Sequence, residues 1–319
     1  MQEKESSEKK PLDTALKLDF DMEEDNVMEG KKTLTNKIDF AVVFTVRNAN
    51  PNGDPLSGNR PRTNYDGLGE VSDVCLKRKL RNRLQDMGEP IFVQSDNNRM
   101  DEHRSLKDRF DKNEEIKKAK KDREKQAEIA CDTWYDVRAF GQVFAFGKDA
   151  GEENSVSIGV RGPVSIHSAF SVEMVDISSL QITKSVNLKT ESDPDKKASD
   201  TMGMKHRVDH GVYVTKGSIN YQLAKKTGFS DEDAEKLHEA LKTMLDNDVS
   251  AARPEGSMEV VSVIWWKHNC PTGQYSSAQV HRSLKVEDMG RDSFPKIKIT
   301  RLKDLEFKFD GLEPEIIEN

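Results

Sequence analysis

Residues 38–46, IDFAVVFTV, place Ile38, Phe40, Val42, Phe44 and Val46 at every second position, with Asp39, Ala41, Val43 and Thr45 between them. A period of two sends the large apolar side chains to one side of an extended backbone, so this segment is predicted as a half-buried β-strand. The next sixteen residues, RNANPNGDPLSGNRPR, hold three prolines, two glycines, four asparagines and three arginines. Proline removes backbone donors while glycine and asparagine favour turns, so neither helix nor strand is expected there. A helix then follows, with Ser72 or Asp73 as N-cap and Gly88 as the residue that stops it. Leu76, Leu80, Leu84 and Met87 share the face turned to a core; Lys77, Arg78, Lys79, Arg81 and Arg83 fill the others. Strand, amide-rich loop and basic helix in unbroken succession suit a polyanion better than a small neutral ligand. Lys79 and Arg83 read as solvated surface charge.

Charge limits how such a polyanion can be held. The 319-residue chain has a formal net charge of −7, which counts against a uniformly basic nucleic-acid binder. Residues 1–36 carry ten acidic and six basic residues and are expected to form a disordered acidic extension. Any polyanion site is therefore a local basic groove on a mildly acidic body. Charged residues make up 34% of the chain, as many as the apolar ones, which points to exposed charged insertions. No apolar run reaches the roughly 18 residues of a membrane span and no apolar leader is visible, so a cytoplasmic protein without membrane contact is expected. Cys75, Cys131 and Cys270 lie too far apart for a disulfide framework or a zinc site, and His206 and His210 fall in a predicted strand where they do not converge on a metal. No metal or other cofactor is expected.

Further elements follow from spacing. Ile91-Phe92-Val93 reads as a short strand, and residues 99–130, dominated by Arg, Lys, Asp and Glu, as an exposed helical insertion. Trp134, Val137, Phe140, Val143 and Phe144 have helical spacing, giving a core helix that ends at Gly147. Residues 164–175 alternate and form a long strand with Arg161-Gly162-Pro163 at its mouth; residues 180–187 continue as a strand. Residues 189–205 have no core pattern and project into solvent, before a strand over 206–220. Ser230 caps a helix over 231–246, and the apolar run at 260–267 is a central buried strand. KIKIT and LEFKF are expected as edge strands. The resulting order, βαββαβ, predicts an α+β fold with a ferredoxin-like or RRM-like sheet, a fold that raises the prior for RNA binding without settling function.

The blocks NANPNGDPLSGNRPR, DVCLKRKLRNRLQD, RAFGQV, VRGPV, TMGMKH and GFSDEDAEKL, in order over about residues 37–285, together resemble the CRISPR RNA-binding backbone subunit of type I-C Cascade, in the RAMP superfamily. That resemblance implies a hand: a modified ferredoxin-like palm with a helical fingers insertion and a protruding thumb. Residues 37–96 then form the first half of the palm, 97–130 the fingers, 131–187 more palm, 188–206 the thumb arm, and 207–319 the second half of the palm with its edge strands. The implied guide contacts are Asn50, Asn52, Gly53 and Arg60 in the loop, Lys77, Arg78 and Arg81 on the helix, Arg161 and Gly162 in the turn, and Met202, Lys205 and His206 in the thumb. Cations meet phosphates, glycine lets backbone amides approach them, and Met202 wedges at an interrupted base step. The implied partners are CRISPR RNA, target DNA, further copies of the chain in a head-to-tail filament, the 5′-end processing, large and small Cascade subunits, and a recruited nuclease-helicase. Two alternatives stay open: a metal-dependent ribonuclease using Asp54 or Asp66, and a monomeric general single-stranded RNA binder.

Overall fold

The computed structural model describes residues 32–119, 122–145, 157–183, 202–288, 297–301 and 311–318. In chain order the first half comprises β1 (Ile38–Ala49), β2 (Gly53–Asp54), β3 (Arg60–Pro61), β4 (Leu68–Val71), α1 (Asp73–Asp86), α2 (Leu106–Asp111), α3 (Glu114–Ala119), α4 (Arg123–Thr133), α5 (Tyr135–Phe140), β5 (Gly141–Ala145) and β6 (Ser157–Arg161). The second comprises β7 (Val164–Ile166), β8 (Ala169–Met174), β9 (Ile177–Thr183), β10 (Met202–Ile219), α6 (Tyr221–Thr227), α7 (Asp231–Lys242), β11 (Met258–Lys267), α8 (Ser277–Arg282), β12 (Leu284–Asp288), β13 (Ile297–Arg301) and β14 (Glu315–Glu318). The main sheet runs β14-β11-β1-β10-β8-β4 with antiparallel neighbours throughout. Its inner strands β11, β1, β10 and β8 are the fourth, first, third and second of the anticipated βαββαβ series, the interleaving that a split βαβ arrangement requires. The α+β class is therefore correct.

β1 is buried on both faces, not one. Phe40, Val42, Phe44 and Val46 pack under α1 and α7 with Leu76, Leu80, Leu84, Leu237 and Leu241. Ala41 and Val43 meet Val212, Ile264, Trp266 and Val280 on the other side, where α8 and β12 supply a second layer that no periodicity announced. Asp39 lies on that face and accepts from Lys37 Nζ at 2.9 Å and His268 Nε2 at 2.8 Å. Burial alone would push its carboxyl up, but the bonds from His268, Ser277 and Lys37 outweigh this and hold it below the ordinary carboxylate value.

The expected core helix over 131–147 is instead the end of α4, then α5 and β5. Trp134 breaks the first helix with an extended backbone (φ −117°, ψ 122°), and Gly141, at φ +79°, turns the chain into a strand that pairs with β6. Trp134 and Phe144 thus reach one core from different elements, packing against Phe92 at centroid distances of 4.7 and 5.2 Å. Phe110, Ile116, Ala130 and Cys131 join them, so the helical insertion is an apolar module of its own and not merely an exposed appendage. Ile91-Phe92-Val93 is no strand: the Phe92 and Val93 amides donate to the Asp136 carboxylate at 2.7 and 3.1 Å.

The long strand over 164–175 is two strands. At the break the His167 amide donates to Lys216 O, and beyond it the alternation slips by one, so that Ala169 and Ser171 turn inward while Phe170 and Met174 are exposed. β10 ends at Ile219 and Asn220 caps α6, a helix the spacing does not predict. α7 stops at Lys242, four residues short of the expected end. Ile297–Thr300 of KIKIT fall in β13, which pairs with β12 as a separate two-stranded sheet, LEFKF lies outside the described residues, and the main sheet ends at β14 and β4. Leu34 is buried and its amide donates to Phe229 O, so the body begins before residue 37.

Candidate nucleic-acid interface

The loop after β1 contains a small hairpin, β2 with β3, where no strand was expected, and its asparagines build it. Asn50 is 7% exposed and donates through Nδ2 to Asn59 O at 2.6 Å. Asn52 Oδ1 accepts from both the amide and the hydroxyl of Ser72 at 2.9 Å, tying the loop to the residue that caps α1. A Cβ at Gly53 would sit 3.0 Å from Asn59 O and 3.2 Å from Asn50 Nδ2, and Gly58 and Asn59 reverse the chain at φ +62° and +60°. Asp54 caps the turn between the strands, accepting from Leu56 N at 3.2 Å, Ser57 Oγ at 2.9 Å and Arg62 Nη2 at 3.3 Å. Asp66 is exposed in the next turn. Asn50, Asn52 and Gly53 therefore shape a scaffold that holds Arg60 out into solvent.

The arm begins earlier than the sequence suggested. β9 and β10 form an antiparallel ribbon from Met202↔Thr183 to Val208↔Ile177, while residues 184–201, most of the anticipated thumb, lie outside the described residues. Met202, 62% exposed, and Met204, 55% exposed, alternate with Lys205 so that both methionines and His206 share one face of the ribbon and Lys205 takes the other. Ser179 joins this arm to the loop. Its Oγ accepts from Arg60 Nη1 at 2.9 Å and bonds His206 Nδ1 at 2.8 Å.

Helix α1 uses its cations differently. Lys77 pairs with Asp73 one turn back at 3.2 Å. Arg78 donates to Val93 O at 2.9 Å; burial, with help from neighbouring Arg81, pulls its guanidinium below its ordinary value. Arg81 donates through Nε to Asp136 Oδ2 at 2.8 Å and lies over the Phe140 ring at 5.3 Å. Arg83 donates to Thr243 Oγ1 at 2.7 Å. Lys79 is buried, not solvated: it pairs with Asp248, which also accepts from Arg253 Nε at 2.8 Å, and burial lowers its ammonium against the pull of that carboxylate. No helical spacing reveals this, because Asp248 is 169 residues away.

Arg161 and Gly162 lie against the turn from α5 to β5. Arg161 is exposed on β6 opposite Gly141, the residue after Phe140. Arg78, Arg81, Arg161 and Gly162 thus gather around α5, while Asn50, Asn52, Gly53, Arg60 and His206 gather where loop meets arm, and Met202 lies four residues further along β10. From Ser72 to Arg81 the helix rises about 13 Å, so the expected residues mark two stations along one helix. Ser179 was missed: a serine in ISSLQIT carries no signal of its own. Among the described residues no group of three or more His, Cys, Asp and Glu is arranged to hold a metal, and no helix is long and apolar enough to cross a membrane.

Comparison with known proteins bears on this geometry. The profile of the family described as CRISPR-associated protein Cas7 matches residues 36–310. A CRISPR-associated protein Cas7 from Haloferax volcanii is 27% identical over 284 residues, covering 83% of this chain and 80% of that protein. Among solved structures, a chain of a CRISPR RNA-guided surveillance complex aligns over 81% of this chain and 78% of its own at 16% identity and a TM-score of 0.44. A chain of such a complex in a pre-nicking state aligns over 72% and 78% at 15% identity and a TM-score of 0.43. The matched span of the profile runs from just before β1 almost to β14, enclosing loop, basic helix and arm alike, and on that match the chain belongs to the CRISPR-associated protein Cas7 family.

Proposed function

We propose that the chain is a non-catalytic, cytoplasmic, guide-RNA-binding backbone subunit of a type I-C Cascade complex, and that copies of it line up along one CRISPR RNA and present it to target DNA. In this reading the main sheet is the palm, the α2–α4 module the fingers and the β9–β10 ribbon the root of the thumb. The 5′-end processing, large and small subunits complete the assembly, and a nuclease-helicase is recruited to it. The observation that carries the proposal is the junction of loop and arm: Arg60 is held by a neutral hydroxyl beside His206, on the ribbon face along which the exposed Met204 and Met202 follow. Cations and backbone amides with an apolar wedge recognise phosphate and stacking, not base edges, as a subunit that accepts any guide sequence requires.

The substitution Arg60→Ala tests this. Binding to guides of unrelated sequence is expected to weaken equally, and the slope of log affinity against log salt to shrink by about 0.7, one phosphate's worth on a single strand. A loss confined to some guide sequences would contradict backbone reading.

A further inference from the structure

The cations of this surface divide into two kinds. Lys77, Lys79 and Arg81 each meet a carboxylate and Arg78 a backbone carbonyl, so their charge is balanced or committed inside the protein. Arg60 is different: its partner among the described residues is the hydroxyl of Ser179, which fixes the guanidinium without neutralising it. The same oxygen reaches His206 Nδ1 at 2.8 Å, and Ser179 and His206 stand opposite each other in the β9–β10 register. Asp209, just beyond the ribbon, accepts from Ser178 Oγ at 2.7 Å and lies 3.4 Å from Arg207 Nε. One hydroxyl thus couples the hairpin built by Asn50 and Asn59 to the strand that carries Met202 and Met204.

We infer that Ser179 is a positioning residue of the guide site: a neutral pivot that aims Arg60 and His206 at one phosphate of the RNA and keeps the loop and the arm closed on it together. A guanidinium only donates, so Ser179 Oγ accepts from Arg60 and its own hydrogen is available to His206 Nδ1. The imidazole then carries its proton on Nε2, a second donor for an anionic oxygen. A carboxylate in place of the hydroxyl would hold Arg60 equally well but cancel the charge it offers, and would have no hydrogen to give His206 Nδ1, which is the physical reason for serine here. This inference rests on the RNA-binding reading and deepens it.

The test compares Ser179→Ala, Ser179→Thr and Ser179→Asp with the unaltered full chain, using a guide RNA titrated over a range of salt. The alanine variant is expected to bind about five-fold more weakly, with its salt slope reduced by about 0.7, the same reduction that Arg60→Ala gives. That shift in slope comes from a substitution that removes no charge, so a merely structural role would leave it unmoved. Threonine, which keeps the hydroxyl and suits a strand, restores both values. Aspartate lowers affinity at least as far as Arg60→Ala while thermal melting stays at the unaltered midpoint. An alanine variant with unchanged affinity and slope, or an aspartate variant that binds like the unaltered chain, would overturn the role of Ser179 while leaving RNA binding intact. Failure of the unaltered chain to bind guide RNA would overturn the functional proposal and this inference with it.

Discussion

The Asp136→Ala protein is expected to lose about 3–5 kcal/mol of stability, read as a lower urea midpoint at an unchanged slope. Asp136 on α5 is fully buried and accepts three bonds, from the Phe92 amide at 2.7 Å, the Val93 amide at 3.1 Å and Arg81 Nε at 2.8 Å. Truncation leaves two amides and a half-buried guanidinium without their acceptor, and each buried donor then carries its full desolvation cost. The damage spreads because the same segment anchors both neighbours: Val93 O accepts from Arg78, and Phe92 O accepts from Arg109 Nη1 at 2.6 Å. One carboxylate thus ties the basic helix to the helical module. Asp136→Asn keeps the shape and one acceptor oxygen, so its loss is expected to be smaller. A loss below about 1 kcal/mol for the alanine variant would contradict the role of Asp136 as the hub.

Gly162→Ala is expected to cost about 3 kcal/mol or more, through overpacking and not through a lost contact. An added Cβ would run into Ala139 O, Gly141 N and the Phe140 carbonyl carbon. These are backbone atoms of the turn from α5 to β5, and they have no rotamer by which to yield. Gly141 is already held at φ +79° on the other side of that contact. The expected readout is a thermal midpoint lowered by many degrees, and an unchanged midpoint would contradict the close approach of the two chain segments. The family resemblance implied a guide contact at Gly162; the close packing shows why glycine is required there whether or not RNA touches it.

How much of this was legible in advance depended on the range of the interactions concerned. The α1 limits, its Ser72 cap and its leucine face were readable because they depend on neighbours within four residues. The order of the four inner strands followed from their succession, while the edge strands β4 and β14 did not. The second layer on β1 was not readable, since Ala41 and Val43 look like a solvent-side minority until α8 arrives more than two hundred residues later. Aromatic spacing misled at Trp134 to Phe144, where a glycine at positive φ, not the periodicity, decided the structure. At the candidate site, the division of labour among the cations was hidden. Whether a lysine or arginine faces solvent or a distant acid such as Asp136 or Asp248 is a tertiary fact. Ser179 was invisible for the same reason, as its partners lie 119 and 27 residues away.

The central claim is that identical copies line up on one RNA by holding its backbone. Mass photometry of the purified chain with guide RNAs of increasing length tests it most directly. The account predicts a ladder of masses in which each added stretch of RNA recruits one more copy of the chain, irrespective of sequence. A single stoichiometry that stays fixed as the RNA lengthens would contradict it.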